Sequence, residues 1–159
     1  GGQVDGRWLG IHDQNGNDRF TQRFALRAHG GYEPVAAMRF ALEHQNPLVA
    51  GQVIADGPAA PYSETHYSFA SVDNPSVLLW ALKPAEEGLD HGVIARLWNV
   101  SDAPATASIR LTSGTASAQR TTHIETNLEP VALAPDSSLP SSFARQQIQT
   151  YRLVPKTKE

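Results

Sequence analysis

Alternation of apolar and polar residues dominates the chain from Tyr62 onward and predicts β-structure. Residues 77–82 and 93–98 are apolar on both faces, which is typical of strands at the centre of a sheet. Turn-forming residues separate the runs, and we interpret 134–142 as a Pro/Ser loop. The predicted strands are Tyr67–Ser71, Val77–Lys83, Val93–Val100, Thr106–Leu111, Gln119–Thr126 and Gln146–Val154. The predicted fold is mainly β, an antiparallel β-sandwich with one short helix.

The first 61 residues have a different pattern, and we expect them to be the tail of a larger β-sandwich. We predict a strand over Arg19–Arg27, a helix over Pro34–Gln45 and a short strand over Val49–Ala55. Proline suits the first helical turn, and Asn46-Pro47 ends the helix because the residue before a proline avoids the α region. Gly57–Pro61 is the predicted hinge to a second domain over residues 62–159.

The composition of the chain argues against several classes of function. The 159 residues carry 13 Lys+Arg against 16 Asp+Glu, a formal net charge of −3 without a basic block, which argues against nucleic-acid binding. No apolar run approaches the ~20 residues that span a bilayer. Cysteine is absent, so disulfides and thiolate metal sites are excluded. The chain lacks an initiator Met and is expected to be a fragment, and its excess of arginine over lysine is typical of a bacterial source.

No local motif of catalytic chemistry stands out. The six histidines are at least fifteen positions apart, so none forms a metal pair at helical or hairpin spacing. Residues 13–18 begin like a calcium loop but have Asp18 where the glycine is required. Glu86, Glu87 and Asp90 are a candidate carboxylate cluster for glycoside chemistry, although a solvated turn explains them as well. From the residues alone we assign no catalytic and no metal-binding residue.

Aromatic residues are the remaining candidates for binding. Trp80 and Trp98 lie in the most apolar strands, which indicates packing in the core or against another domain. Trp8 lies in a polar segment where it can contact a partner, and His29 and Tyr32 are further candidates for carbohydrate or interdomain contact. Asn99-Val100-Ser101 fits the N-glycosylation pattern, which has meaning only in a eukaryotic secretory protein.

Two blocks resemble the C-terminal region of the α-mannosidases of glycoside hydrolase family 38. The first is RFALRAHG at 23–30, followed by the helix and by HQNPL at 44–48. The second is SVLLWALK at 76–83, an acidic loop, and GVIARLWN at 92–99, similar to a family strand ending in Lys and another ending Arg-Leu-aromatic-Asn. Residues 125–129 and 148–153 resemble its later strands, so the resemblance runs from about Arg19 to Val154.

The resemblance implies a parent that is a zinc-dependent retaining exo-α-mannosidase. In that family a His-x-Asp pair, a further Asp and a further His hold zinc, and all belong to an N-terminal catalytic domain. This sequence contains no His-x-Asp, so no catalytic or metal role carries over to any residue. We therefore expect no cofactor in this chain, zinc in the catalytic domain of the parent, and that upstream domain as the partner. The role implied is a non-catalytic scaffold that supports the substrate pocket.

Two other functions fit the same sequence. A carbohydrate-binding module would tether an enzyme to mannose-containing glycans and would present exposed aromatic residues on a sheet face or near His29 and Tyr32. A stand-alone immunoglobulin-like adhesion or assembly domain would be a complete gene product with a surface for self-association. Nucleic acid and membrane are not expected as partners of any of the three.

Overall fold

The structure is a computed structural model that describes residues 23–51 and 66–157. The chain divides into two compact units between Gly31 and Tyr32. The predicted hinge at 57–61 lies outside the described residues, so the division into domains at residue 61 stays a prediction. Within the described ranges, no helix is long and apolar enough to cross a membrane.

Helix α1 covers Pro34–Gln45, as the sequence predicts. Pro34 occupies the first turn, and Asn46 caps the last one by donating from both its backbone N and its side-chain Nδ2 to the Leu42 carbonyl, each at 2.9 Å. Val35, Met38 and Leu42 form a half-buried stripe, while Arg39 and Glu43 are exposed. No residue of α1 is fully buried.

The two upstream strands are not confirmed. Residues 23–27, the described part of the predicted strand Arg19–Arg27, have no β-structure, and Phe24 and Leu26 are exposed. Residues 49–51 are also irregular, and the rest of Val49–Ala55 lies outside the described residues. Alternation is not sufficient for a strand, because a strand is stable only when it pairs with a neighbour and buries one face.

Eight antiparallel strands form two sheets within the described residues. The strands are β1 (Ala70–Val72), β2 (Val77–Pro84), β3 (Val93–Asn99), β4 (Ala105–Leu111), β5 (Thr115–Thr121), β6 (Asn127–Val131), β7 (Leu139–Phe143) and β8 (Ile148–Pro155). One sheet has the order β1-β4-β7 and the other has the order β2-β3-β8-β5-β6. This confirms a mainly β fold that is consistent with an antiparallel β-sandwich carrying one short helix.

The core lies between the two sheets. It takes alternate residues from each strand, as expected when one face of a sheet is buried against another. Buried members are Val77, Val93, Ala95, Leu97, Ala107, Ile109, Leu111, Ala118, Leu139, Phe143, Tyr151 and Leu153. The opposite face of the five-stranded sheet, called the outer face below, therefore presents the intervening residues, such as Ile94, Arg96 and Trp98 of β3.

The prediction of two central strands is right for β3 and wrong for β2. β3 lies between β2 and β8 and is buried or half-buried along its whole length, whereas β2 is an edge strand of its sheet. The register shifts between Leu79 and Ala81, so Trp80 is the extra residue of a bulge and is 42% exposed. A bulge twists an edge strand and disrupts its pairing, and this allows an apolar strand to lie at an edge.

Two other predicted boundaries need correction. The predicted loop 134–142 contains most of β7, in which Leu139, Ser141 and Phe143 face the core. Pro140 is tolerated there because β7 is an edge strand, where a missing N–H breaks no essential hydrogen bond. The predicted strand Gln119–Thr126 ends at Thr121, and residues 122–126 form a turn that leads into β6.

Candidate functional site

The turn at residues 122–126, called the cover loop below, folds across the outer face. Arg96 on that face donates from Nη2 to the His123 carbonyl at 2.7 Å, and Arg152 donates from Nη2 to the Glu125 carbonyl at 3.2 Å. Ile94 lies between Lys83 and Arg152 in the register of the sheet and is only 1% exposed. The outer face is therefore partly buried, although it faces away from the second sheet.

A lysine at the end of β2 links the cover loop to the acidic β2–β3 turn. Lys83 Nζ lies 2.6 Å from Glu86 Oε1 and 2.5 Å from Glu125 Oε1. The Glu86 backbone N–H donates to the other oxygen of Glu125, Oε2, at 3.0 Å. Glu125 is thus a buried carboxylate with partners on both of its oxygens, held by a cation and by a backbone amide.

Arg152 of β8 is the second cation of this network and is 7% exposed. Its guanidinium binds both carboxylate oxygens of Glu87, at 3.0 and 3.1 Å, and donates to Asn127 Oδ1 at 3.1 Å. It also donates to the backbone carbonyls of His91 and Glu125. These five acceptors match the five N–H groups of an arginine, so Arg152 has no donor left for a ligand.

The ion pairs shift the pKa values of the carboxylates in one direction. The hydrogen bond from Lys83 lowers the pKa of Glu125 below its ordinary value, and the same contact raises the pKa of Lys83. The hydrogen bonds from Arg152 lower the pKa of Glu87. A general acid of glycoside hydrolysis needs a raised pKa in order to hold a proton near neutral pH. A lowered pKa therefore does not suit Glu87 or Glu125 to the general-acid role, and each is the counterion of a cation in the same domain.

Asn99, the last residue of β3, holds the end of that strand in place through its side-chain hydrogen bonds. Its side chain is fully buried and donates from Nδ2 to the carbonyls of Ala103 and Ala144 at 2.8 and 2.9 Å. Its Oδ1 accepts from the backbone N and the hydroxyl of Ser101 at 3.1 and 2.8 Å. Because the amide nitrogen is buried and occupied, the Asn99-Val100-Ser101 pattern is not a glycosylation site in the folded domain.

The two tryptophans of the sheet contact each other rather than the core. Their rings lie 5.5 Å apart at 89°, an edge-to-face pair. Trp98 is half-buried on the outer face and Trp80 is exposed at the bulge of the edge strand. Packing of these rings in the core is therefore a wrong prediction, whereas packing against another domain stays a prediction.

The predicted contact residues lie elsewhere in the chain. Trp8 is outside the described residues. His29 is exposed, with Nδ1 3.2 Å from the Gly30 carbonyl oxygen, and Tyr32 is an exposed side chain of the other unit. No observation tests their contact with a sugar or a domain, and the three stay predictions. Within residues 23–51 and 66–157, no group of three or more His, Cys, Asp or Glu is placed to hold a metal ion.

Comparison with known families identifies the domain that carries this network. Residues 76–151 match the family model described as the glycosyl hydrolases family 38 C-terminal beta sandwich domain. Over residues 76–151 the chain is therefore similar to the family 38 C-terminal β-sandwich domain. The match includes the acidic turn, Asn99, both tryptophans and the cover loop. No curated protein matches the chain.

The family 38 match confirms the resemblance on its second block, at 76–83 and 92–99. The structure gives each residue of the Arg-Leu-Trp-Asn end of β3 a physical role. Arg96 anchors the cover loop and Leu97 packs in the core, while Trp98 pairs with Trp80. The first block, residues 23–48, lies outside the match.

Proposed function

We propose that this chain is a non-catalytic part of an α-mannosidase that removes terminal α-mannose residues, and that its sandwich supports the substrate pocket as a scaffold. The observation that carries the proposal is the family 38 match over residues 76–151, which is to the C-terminal sandwich of that enzyme family. On this proposal the partner is the catalytic domain upstream in the same polypeptide, and zinc belongs to that domain.

The use of the charged residues supports a structural role. Two of the three candidate carboxylates of the acidic turn are bound to cations of the same domain, Glu86 to Lys83 and Glu87 to Arg152. Such a network holds the acidic turn and the cover loop in fixed positions. A catalytic domain that packs on this sandwich would gain a rigid support, and rigid positioning of a substrate contributes large rate factors without any chemistry by the support.

The apolar side chains at the edge of β2 support a partner surface. Trp80, Leu82 and Leu89, in β2 and in the turn that follows it, are all exposed. Exposed apolar clusters commonly mark a surface that another domain or protein covers. On the scaffold proposal this is where the rest of the polypeptide packs, whereas on the adhesion alternative a second copy would cover it.

The test is an assay of the 159-residue chain on an aryl α-mannoside, with and without added zinc. We expect no turnover above a buffer blank, because the catalytic and zinc-binding groups belong to the upstream domain on this proposal. An intact family 38 α-mannosidase, assayed in parallel, shows that the conditions permit hydrolysis. Zinc-dependent turnover by the 159-residue chain would overturn the proposal.

A further inference from the structure

A depression of about 300 Å³ opens at the end of the five-stranded sheet, where β5 ends and β8 begins. Its lining includes Thr121, Thr122, His123, Leu128, Ile148 and Thr150. This volume is at the lower end of the range for small-molecule sites, which is about 300–1,000 Å³. The depression therefore has room for one small ring, and the mannosidase proposal assigns it no role.

Polar groups of the lining are held by hydrogen bonds. Arg96 Nε–H donates to Thr150 Oγ1 at 3.3 Å, and the same hydroxyl is hydrogen-bonded to His123 Nδ1, which lies 3.0 Å away. Because Nδ1 is occupied, Nε2 is the ring nitrogen of His123 that is left to bond a ligand, and a ligand hydroxyl can either donate to it or accept from it.

Thr121 adds a hydroxyl without a partner. The residue is buried, with 5% of its surface exposed, and its Oγ1 has no hydrogen-bond partner among the described residues. Buried polar groups are nearly always paired in folded proteins, so an unpaired one in the lining of a depression indicates a missing partner. A ligand hydroxyl can both donate to and accept from such a group.

The lining also contains apolar side chains. Ile148 is 40% exposed and Leu128 is 50% exposed, and both line the depression. Ile148 is the register partner of Trp98 on the outer face, so the indole lies beside it. A ligand that fits must therefore combine apolar surface with hydrogen-bonding groups.

Two arginines near the depression already have partners. Arg120, which also lines it, pairs through Nε with Glu129 Oε1 at 3.3 Å, and Arg96 donates to Thr150 Oγ1 and to the His123 carbonyl. The Arg120 pair is exposed and a carbonyl does not neutralise a guanidinium, so a small anion is the competing ligand that the test below must distinguish. The apolar residues of the lining favour a sugar ring over a phosphate.

From these observations we propose that the depression is a subsite for one pyranose ring of a neutral glycan. Thr121 and His123 bind ring hydroxyls, and the C–H face of the ring lies on Leu128 and Ile148. The proposal goes beyond the scaffold role and does not depend on it, because the test below measures binding and no hydrolysis.

The test is a titration of the 159-residue chain by NMR with methyl α-mannoside, methyl α-glucoside and inorganic phosphate. We expect saturable shifts, with a dissociation constant on the order of millimolar, for amides of Thr121, His123 and Ile148 and for the Trp98 indole with at least one glycoside. Phosphate is expected to give none. Absence of saturable shifts with both glycosides, shifts confined to other residues, or saturable binding of phosphate at these residues would each overturn the proposal.

The matched variants are Thr121→Val and Thr115→Val. Both threonines are buried and both hydroxyls lack a partner among the described residues, but only Thr121 lines the depression. Thr121→Val should weaken glycoside binding by about fivefold or more through loss of one hydrogen bond, while Thr115→Val should leave it unchanged. Neither should lower the melting temperature, because each removes an unpaired polar group. Equal effects of the two variants on binding would contradict the assignment.

Discussion

At the scale of single residues, two glycines determine the shape of the acidic turn. Gly88 and Gly92 have φ of 112° and 93°, with ψ of 171° and −165°, a region that only glycine occupies readily. They differ in their surroundings. A Cβ on Gly92 would lie 2.5 Å from the Leu153 carbonyl oxygen, whereas a Cβ on Gly88 would meet no atom within 4 Å.

These surroundings predict different costs for alanine. Gly88→Ala should lower the free energy of unfolding by about 1–3 kcal/mol through backbone strain alone. Gly92→Ala should cost more, because the strain is joined by a clash with the backbone of β8 that no side-chain rotation relieves. Urea unfolding of both variants checks this order. A Gly92→Ala variant as stable as Gly88→Ala would show that β8 moves freely away from the turn.

Asn99 also stabilises the fold at a single position, through four hydrogen bonds of its buried side chain. Asn99→Ala should lower the free energy of unfolding by about 2 kcal/mol or more, because it removes four hydrogen bonds that each contribute about 0.5–1.5 kcal/mol. Asn127→Ala is the control, since among residues 23–51 and 66–157 the only side-chain hydrogen bond of that exposed amide is with Arg152. In thermal unfolding, the melting temperature of Asn99→Ala should be clearly lower than that of Asn127→Ala. The reverse order would refute the role given to Asn99.

At the scale of elements, the cover loop is attached to the sheet by ion pairs, and this makes its attachment depend on pH. The pKa values of Glu125 and Glu87 are lowered from 4.5 in the folded chain, mainly by Lys83 and Arg152 respectively. Carboxylates of this kind stabilise the fold above their unfolded pKa, and that stabilisation is lost as the pH falls through the folded one. The pKa of Lys83 is raised from 10.5, so its contribution is lost only in strong alkali.

The domain should therefore keep its stability from about pH 5 to 10 and lose it progressively below about pH 4.5. Glu125→Gln should lower the melting temperature at pH 7 and make its decline between pH 7 and pH 3 shallower. Glu129→Gln is the control, because Glu129 forms one exposed ion pair with Arg120 and such pairs contribute little. Melting temperatures measured across this range check both. If the melting temperature of Glu125→Gln fell between pH 7 and pH 3 as steeply as that of the unsubstituted chain, this would contradict the attachment of the cover loop through Glu125.

Strands could be predicted where large side chains alternate or fill both faces. This identified β2, β3, β4 and β8 to within a few residues. The same criterion missed β7, because the core-facing position between Leu139 and Phe143 is a serine, Ser141, and because proline, here Pro140, is uncommon in strands. It also missed the turn into β6, since the positive φ of 69° falls on Glu125 and no glycine marks it. Edge position was not predictable for β2, because its bulge depends on pairing with β3.

The site was less predictable than the fold. The acceptors of Arg152 come from residues 25 to 65 positions away, and no local motif encodes such a set. The only available signal was an arginine inside a strand of apolar neighbours, at Arg96 and at Arg152, since a charge placed there needs buried partners. Depression residues such as Thr121 and Ile148 are brought together only by the pairing of β5 and β8.

At the scale of the whole molecule, the proposed role of this sandwich is to support an α-mannosidase without doing any chemistry itself. The most direct measurement is the mass, by immunoblot and mass spectrometry, of the native polypeptide that carries this sequence in its source cells. The account predicts a polypeptide several times larger than 17.2 kDa, with α-mannosidase activity and zinc in the same purified fraction. A native product of 17.2 kDa would contradict it and make glycan binding or self-assembly the function to test.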